Sequence, residues 1–327
     1  MRGLCVRERK TSHDTFTFLL TLFANEDDGS QERVLGGTPE GTVLSDSLTA
    51  RTRTYATVLG LRRNLGWGYK RIARRVGLPR STVHSWIRGK HSPYGSCSAP
   101  NLEPSTLLSY IAGAFLGDGG LIRSAQYHYE LRFRVRDREF AERFSDCLST
   151  VLGKSKRPRQ DENGFFVVRV WSRLLFEFLS SWNSIRETAE RYPREFIGGF
   201  ADAEGSPVVS VGRSRRVLGV YVVMVNTNRV LLNLVRTLMR ANFAIRSNVL
   251  LERKRHRMWS KLPCYHLTIG RREDQRRFAG TIGFGIQRKQ EKLRVALSLL
   301  DTYGPSDALP EWHKLYEKCG RMWVRAN

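Results

Sequence analysis

Hydrophobic and polar residues alternate along two stretches of the chain that follow the same order of predicted elements. In residues 131–136 Leu, Phe and Val alternate with three arginines, the period-two pattern of a strand that buries one face. The first stretch then predicts a helix at 137–153, a strand at 165–171 and a helix near 173–182. The second predicts strands near 207–212 and 217–225, a helix at 228–242, strands near 246–255 and 264–270, and helices near 271–283 and 288–300. Allowing for poorly defined first strands in the N-terminal half, we predict an α+β fold with two pseudo-symmetric αββαββα halves.

Each half begins with an apolar helix, and the two helices have similar sequences. Residues 110–120 read YIAGAFLGDGG and residues 196–206 read FIGGFADAEGS. A repeat at this separation indicates two copies of one structural unit. Small residues four positions apart share one helix face in each copy and would let the two helices approach closely; they are Gly113, Gly117, Gly199 and Ala203. The glycines that follow the helices, Gly119 and Gly205, are expected in the left-handed C′ conformation.

Each of these helices ends in an acid, Asp118 in the first and Glu204 in the second. A carboxylate at a helix C-terminus is disfavoured by the helix dipole, which makes a nearby cation favourable. If the helices pack together, both carboxylates lie at one end of the seam with the carbonyls of Gly117 and Ala203. Such an oxygen-rich set suits Mg²⁺. The alternative is a pair of structural helices whose terminal acids face solvent, and the duplication favours the metal site.

The two segments resemble the paired motifs of the LAGLIDADG homing endonucleases in their single-chain form. Residues 111–119 and 197–205 align with the nine-residue motif, and Asp118 and Glu204 fall on its penultimate acidic position. Asp202 matches an earlier acid of the motif, where the first copy has Leu116. The resemblance implies two sheets that form a DNA-binding saddle, and a site-specific double-strand DNA endonuclease of the kind associated with introns. It also implies metal-dependent hydrolysis of phosphodiesters, with Mg²⁺ or Mn²⁺ held by the two acids.

The resemblance also implies a basic or polar residue near each metal. The segment IGFGIQRKQEKL at 282–293 matches the closing pattern of the family, and Lys289 is the third candidate catalytic residue, with Gln287 and Arg288 behind it. An ordinary surface lysine is the alternative. In the first half Arg136 is a weaker candidate, with Asn226 as its counterpart.

Charge points to a polyanionic partner. The formal net charge is +24, and residues 51–327 hold 50 Lys and Arg against 23 Asp and Glu. No basic amphipathic anchor or long apolar span favours a membrane surface instead. Arginines on the polar faces of the predicted strands are expected to bind phosphates or guanines; they are Arg132, Arg134, Arg136, Arg169, Arg213 and Arg253.

Residues 51–90 contain eleven Lys and Arg and no acid, and they predict a helix–turn–helix. Apolar residues at 72, 73 and 76 fit a first helix, Gly77 fits the turn, and residues 83, 86 and 87 fit a second helix that starts near Ser81 and Thr82. The residues facing outward from the second helix would enter the major groove; they are Arg80, Ser81, His84 and Arg88. A helical pair that serves only protein packing is the alternative.

The remaining segments complete the predicted organisation. Residues 1–50 are predicted to be poorly defined or disordered, 51–90 the helix–turn–helix, 91–104 a linker, 105–190 and 191–300 the two halves, and 301–327 a tail. Residues 7–24 imitate a signal peptide only weakly. Five scattered cysteines without a CxxC pair argue against a disulfide framework and a zinc site, and favour a cytoplasmic protein.

Three other functions fit parts of the sequence. A transcription regulator of related architecture would use the helix–turn–helix and lack cleavage, although both acids are present here. An RNA-splicing maturase would bind RNA instead of double-stranded DNA. A basic scaffold protein would leave the duplicated acidic helix ends unexplained. Internal pseudo-two-fold symmetry indicates that the nuclease would act as a monomer.

Overall fold

The computed structural model of the protein describes residues 40–93, 100–123, 129–211, 217–251, 263–320 and 322–326. The predicted disordered segment falls largely outside the described residues, as do the middle of the predicted linker, Arg213 and Arg253. Within the described residues no helix has the length and apolar character that crossing a membrane requires.

Three helices form a small module with its own core: α1 (Glu40–Leu65), α2 (Tyr69–Val76) and α3 (Arg80–Ile87). Gly77 ends α2 at φ +69°, in the left-handed conformation that the turn requires. The core consists of five buried residues, Val58, Ile72, Ala73, Val83 and Trp86. The predicted helix–turn–helix is therefore present. Its second helix starts at Arg80, one residue earlier than expected, because Pro79 is the N-cap. No side chain caps the start of this helix.

The first half contains the elements α4 (Thr106–Asp118), β1 (Gly119–Arg123), β2 (Tyr129–Val135), α5 (Arg138–Leu152), β3 (Arg159–Gln160), β4 (Phe166–Trp171), α6 (Arg173–Ser180) and α7 (Trp182–Arg191). Its antiparallel sheet has the order β1-β2-β4-β3. Alternation in β2 buries Leu131 and Phe133 and leaves Arg134 exposed, because only one face of the sheet packs on helices. The helix α7 was not predicted.

The second half contains α8 (Pro193–Glu204), β5 (Gly205–Val211), β6 (Leu218–Asn226), α9 (Arg229–Phe243), β7 (Asn248–Leu251), β8 (Tyr265–Ile269), α10 (Arg272–Thr281) and α11 (Gln287–Leu315). Its sheet order, β5-β6-β8-β7, repeats that of the first half. The predicted α+β fold with two αββαββα halves is thus confirmed.

The chain continues beyond the predicted last helix. Helix α11 is interrupted by a non-helical backbone at Gly304 and runs on to Leu315, and a hairpin follows, β9 (Tyr316–Cys319) and β10 (Met322–Arg325). Trp312 is fully buried and stacks on Tyr316. The segment after residue 300, which the sequence predicts as a tail, therefore contributes to the main core.

Candidate active site

The two motif helices, α4 and α8, pack against each other through positions that only small residues can fill. A Cβ on Gly113 would lie 2.0 Å from the carbonyl oxygen of Phe196, and one on Gly199 would lie 2.3 Å from that of Tyr110. A Cβ on Gly117 would lie 2.4 Å from the Cβ of Ala203. The predicted small-residue face is therefore the contact between the helices, and it brings their C-terminal ends together.

The glycines that follow the two helices were predicted wrongly. Gly119 has φ −88° and Gly205 has φ −89°, so both are extended and start strands directly. Glycine fits there for a steric reason. A Cβ on Gly119 would lie 2.0 Å from the ring of Phe115, and one on Gly205 would lie 2.4 Å from the carbonyl oxygen of Ala201.

Asp118 and Glu204 end these helices, and both carboxyls have a raised pKa. Desolvation raises the pKa of Glu204 from 4.5 to about 8, and the negative charge of Asp118 adds to the effect. Desolvation raises the pKa of Asp118 from 3.8 to about 6, although its side chain keeps solvent-exposed surface at the rim. The positive charge of Lys289 opposes both shifts. The carboxyls of Asp118 and Glu204 therefore lie close enough to influence each other's ionisation, and Lys289 lies close to both.

Lys289 and Asn226 contact the second acid and its helix end. The Nδ2 of Asn226 donates a 2.8 Å hydrogen bond to Oε1 of Glu204. The Nζ of Lys289 donates to the carbonyl oxygens of Asp202 at 2.7 Å and Gly205 at 2.8 Å, on either side of Glu204. Burial lowers the pKa of the lysine. The structure thus places three sequence candidates together, Asp118, Glu204 and Lys289.

Arg136 does not correspond to Asn226 in the symmetry of the halves. Strand pairing aligns Gly119 with Phe133 and Gly205 with Met224, so the counterpart of Asn226 is Val135. Arg136 lies one residue beyond, and its guanidinium is 4.8 Å from the ring centroid of Phe165. Spacing along the sequence does not reveal that Val135 corresponds to Asn226, because the pairing of the strands sets this correspondence.

Asp202 holds the closing segment against the motif helices, a role the sequence did not reveal. It is 1% exposed, and its carboxylate accepts hydrogen bonds from Tyr110 Oη at 2.8 Å, Gly285 N at 2.7 Å and Ile286 N at 3.1 Å. Burial raises the pKa of this carboxyl, and these three donors oppose the shift. The sequence holds one signal for this pair, because each partner is polar where the other copy is apolar. Tyr110 aligns with a Phe, and Asp202 aligns with Leu116.

The start of α11 is also docked on the first half. The guanidinium of Arg288 pairs with Asp137 at 2.7 Å, and the backbone N–H of Gln287 donates to Glu139 at 2.9 Å. These two residues, predicted to lie behind Lys289, therefore join the two halves beside it.

The other predicted contact residues on the first sheet have partners of their own. Arg132 and Arg169 pair with Glu130, and Arg134 pairs with Asp161. In α3, Arg80 and Ser81 are exposed, and His84 is partly covered by an edge contact with Tyr69. Arg88, the C-cap of this helix, is also exposed.

The donors present fit a hard divalent cation better than zinc. Two carboxylates with raised pKa values stand at one place, and the backbone carbonyls of the adjoining helix ends add neutral oxygens. Among the residues that the structure describes, no group of three or more His, Cys, Asp or Glu side chains could hold a metal by itself.

Comparisons with known proteins identify two domains. A family model described as a LAGLIDADG-like domain matches residues 191–283, and a homeodomain-like domain model matches residues 49–95. The chain therefore contains a LAGLIDADG-like domain and a homeodomain-like helix–turn–helix, as the sequence predicted.

One curated relative and two solved structures are similar to longer parts of the chain. The uncharacterized protein MJ0398 of Methanocaldococcus jannaschii is 26% identical over 248 residues, 71% of this chain and 86% of that protein. The crystal structure of I-DmoI in complex with DNA and Mn covers 55% of this chain and 97% of its own, with 22% identity and a TM-score of 0.41. Full-length DUF199/WhiA from Thermotoga maritima covers 60% and 61%, with 16% identity and a TM-score of 0.41.

Proposed function

We propose that the protein is a site-specific, divalent-metal-dependent endonuclease that cuts both strands of DNA. The observation that carries the proposal is the convergence of two carboxyls with raised pKa values, Asp118 and Glu204, next to the ammonium of Lys289. Two like charges held at one place favour binding of a cation. A basic chain that also contains a LAGLIDADG-like and a homeodomain-like domain fits a DNA substrate.

Each catalytic residue has a part in this proposal. Asp118 and Glu204, with the carbonyls of Gly117 and Ala203, would hold Mg²⁺ or Mn²⁺. When bound, such an ion lowers the pKa of water and stabilises charge on the phosphoryl oxygens. Asn226 orients the carboxylate of Glu204 through its hydrogen bond. Lys289 fixes the end of α8 and supplies positive charge where the phosphate carries negative charge.

The DNA-binding parts of the proposal combine two surfaces. The arginines on the open face of the first sheet and the exposed residues of α3 supply positive charge at separate places on the chain. We propose double-stranded DNA as the partner, bound by a single copy of the chain whose two halves each hold one acid. Cys147 and Cys319 carry free thiols, which fits the cytoplasm.

A DNA-binding regulator without cleavage is the second candidate. The observation that favours it is the homeodomain-like module with its own hydrophobic core. Such a regulator would not need the paired carboxyls of Asp118 and Glu204. The two candidates therefore differ in whether these acids hold a catalytic metal.

Two isosteric variants test the proposal. Asp118→Asn and Glu204→Gln each keep the shape of the side chain and remove its charge. In the presence of Mg²⁺ we expect each to lose double-strand cleavage by at least 100-fold while its DNA affinity stays within a few-fold of wild type. A wild-type protein that binds a specific duplex and never cuts it would favour the regulator.

A further inference from the structure

The open faces of the two sheets, which lie opposite the packed helices, carry different chemistry. In the first sheet the register places Arg132 beside Arg169, and Arg134 and Arg159 beside Val167. Glu130 lies 2.9 Å from the Nε of Arg132 and 3.6 Å from that of Arg169, so one carboxylate holds two guanidiniums. Asp161 pairs with Arg134, so the four arginines have two carboxylate partners and this open face keeps an excess of positive charge.

The described open face of the second sheet mixes apolar side chains with uncharged polar ones and His266. Its buried face carries Val209, Val220, Val222 and Met224. On the opposite face Val208 pairs with Tyr221, and Val223 lies between Ser206 and Thr268. Val208 is 41% exposed and Tyr221 is 40% exposed. Among the described residues of this face there is no Lys, Arg, Asp or Glu.

The end of this face continues into a basic groove. The groove has a volume of about 890 Å³, and it is lined by Asn248 and Thr268 of the open face and by four arginines, Arg236, Arg240, Arg246 and Arg271. Arg246 lies 3.5 Å from the buried carboxylate of Asp274, and an apolar protein partner would offer no charge to Arg236, Arg240 and Arg271. A nucleic-acid duplex matches both parts, with base edges over the open face of the sheet and phosphates in the groove.

The two faces suit different base pairs in the major groove. Guanine presents two acceptors, O6 and N7, that a guanidinium binds with two hydrogen bonds. Thymine presents a C5-methyl group that apolar side chains contact, and adenine presents the donor and acceptor that an asparagine amide binds. The open face of the first sheet carries the guanidiniums and the exposed Trp171. The described open face of the second sheet carries valines, Tyr221 and Asn248, together with His266 and Ser and Thr hydroxyls.

We propose that the two sheets read unlike half-sites. The first sheet selects G·C pairs through its arginines, and the second selects A·T pairs through thymine methyl contacts by Val208, Tyr221 and Val223 and through Asn248. The target is therefore an asymmetric duplex that is rich in G·C pairs on one side of its centre and rich in A·T pairs on the other. The inference deepens the proposed function. It rests on that function only for the assumption that one duplex lies across both sheets.

Base-analogue substitution tests the inference without cleavage. The full chain selects duplexes from a random library in EDTA, and affinities are then measured for the selected site. Uracil in place of each thymine removes only the methyl group, and 7-deazaguanine removes only the N7 acceptor. We expect uracil to weaken binding about fourfold for each contacted thymine in the A·T half alone. We expect 7-deazaguanine to weaken binding in the other half alone.

Two variants assign the halves to the sheets. Arg132→Gln should relax the preference for guanine at one position, and that position identifies the half read by the first sheet. Val208→Thr keeps the branched shape of an exposed side chain and replaces a methyl with a hydroxyl. Because one of the two methyl groups remains, we expect it to reduce the fourfold preference for thymine over uracil at one position in the opposite half.

The outcomes separate this inference from the proposed function. Guanines selected over both halves, or an equal response to uracil in both halves, would overturn the inference while leaving the nuclease proposal intact. A footprint confined to the arginine half would also overturn it. Cleavage failure has no effect on these measurements, because they are made without divalent metal.

Discussion

Neutralising Glu204 should stabilise the metal-free protein even as it removes activity. Glu204→Gln keeps the side-chain length, and the Gln carbonyl oxygen can still accept the hydrogen bond from Asn226. The change removes a carboxylate whose ionised form is disfavoured by desolvation and by the charge of Asp118. A residue that destabilises the fold and is needed for function is typical of an active site.

The size and the pH window of the effect follow from the raised pKa. Between pH 4.5 and about 8 the folded protein holds the Glu204 proton more tightly than the unfolded chain does, so stability falls as pH rises through this window. The shift corresponds to at most about 5 kcal/mol. Because water can enter the rim of the site when the carboxylate ionises, we expect a gain on the order of 2 kcal/mol for the variant at pH 8. That is roughly 4–8 °C in unfolding temperature.

Thermal unfolding in EDTA at pH 5 and pH 8 measures this effect. We expect the variant to match wild type at pH 5, where Glu204 is already protonated, and to exceed it at pH 8. Glu317→Gln, at an exposed carboxyl on β9, is the matched control and should change neither value. Mg²⁺ should stabilise wild type at pH 8 more than the variant. A variant less stable than wild type at pH 8, or equally stabilised at both pH values, would refute the reasoning.

Three further predictions concern the seam, the lysine and the helical module. Gly199→Ala should lower the free energy of unfolding, measured by chemical denaturation, by about 2 kcal/mol, because its Cβ would meet a backbone carbonyl at 2.3 Å. Gly198→Ala is the control, since its Cβ has open space, and it should be neutral or slightly stabilising. Lys289→Met removes the charge that lowers both carboxyl pKa values, so the pH–rate profile of any remaining cleavage should move to higher pH, and an unmoved profile would contradict the assignment. Deleting residues 1–99 should shorten the DNA footprint and weaken binding while leaving some cleavage, and an unchanged footprint would show that α3 does not touch DNA.

The sequence predicted most of the fold because its signals are local. Alternation at residues 131–136 is enough to identify β2, and the repeated small residues identify the helix seam. The two acids were found for the same reason, since each ends a motif that occurs twice. The kind of fold and the residues at the centre of the site could therefore be predicted.

The rest depends on contacts between residues far apart in the chain. Tyr110 and Asp202 are 92 positions apart, and each has an unremarkable apolar counterpart in the other copy. Asn226 reaches Glu204 because of the pairing between β5 and β6, which one-residue errors in register would hide. The glycines after the helices were assigned to the wrong conformation, since steric contact with Phe115 and Ala201 is not visible in the sequence.

Sequencing of cut ends is the most direct test of the central claim that Asp118 and Glu204 form a metal-dependent nuclease site. Purified full-length protein is incubated with a duplex DNA library and Mg²⁺, and the ends produced are sequenced. We predict double-strand ends at one recognisable sequence, absent with EDTA and absent for Glu204→Gln at equal binding. Ends that persist in the Glu204→Gln variant, or a wild-type protein that binds its selected duplex with Mg²⁺ and leaves it uncut, would contradict the account.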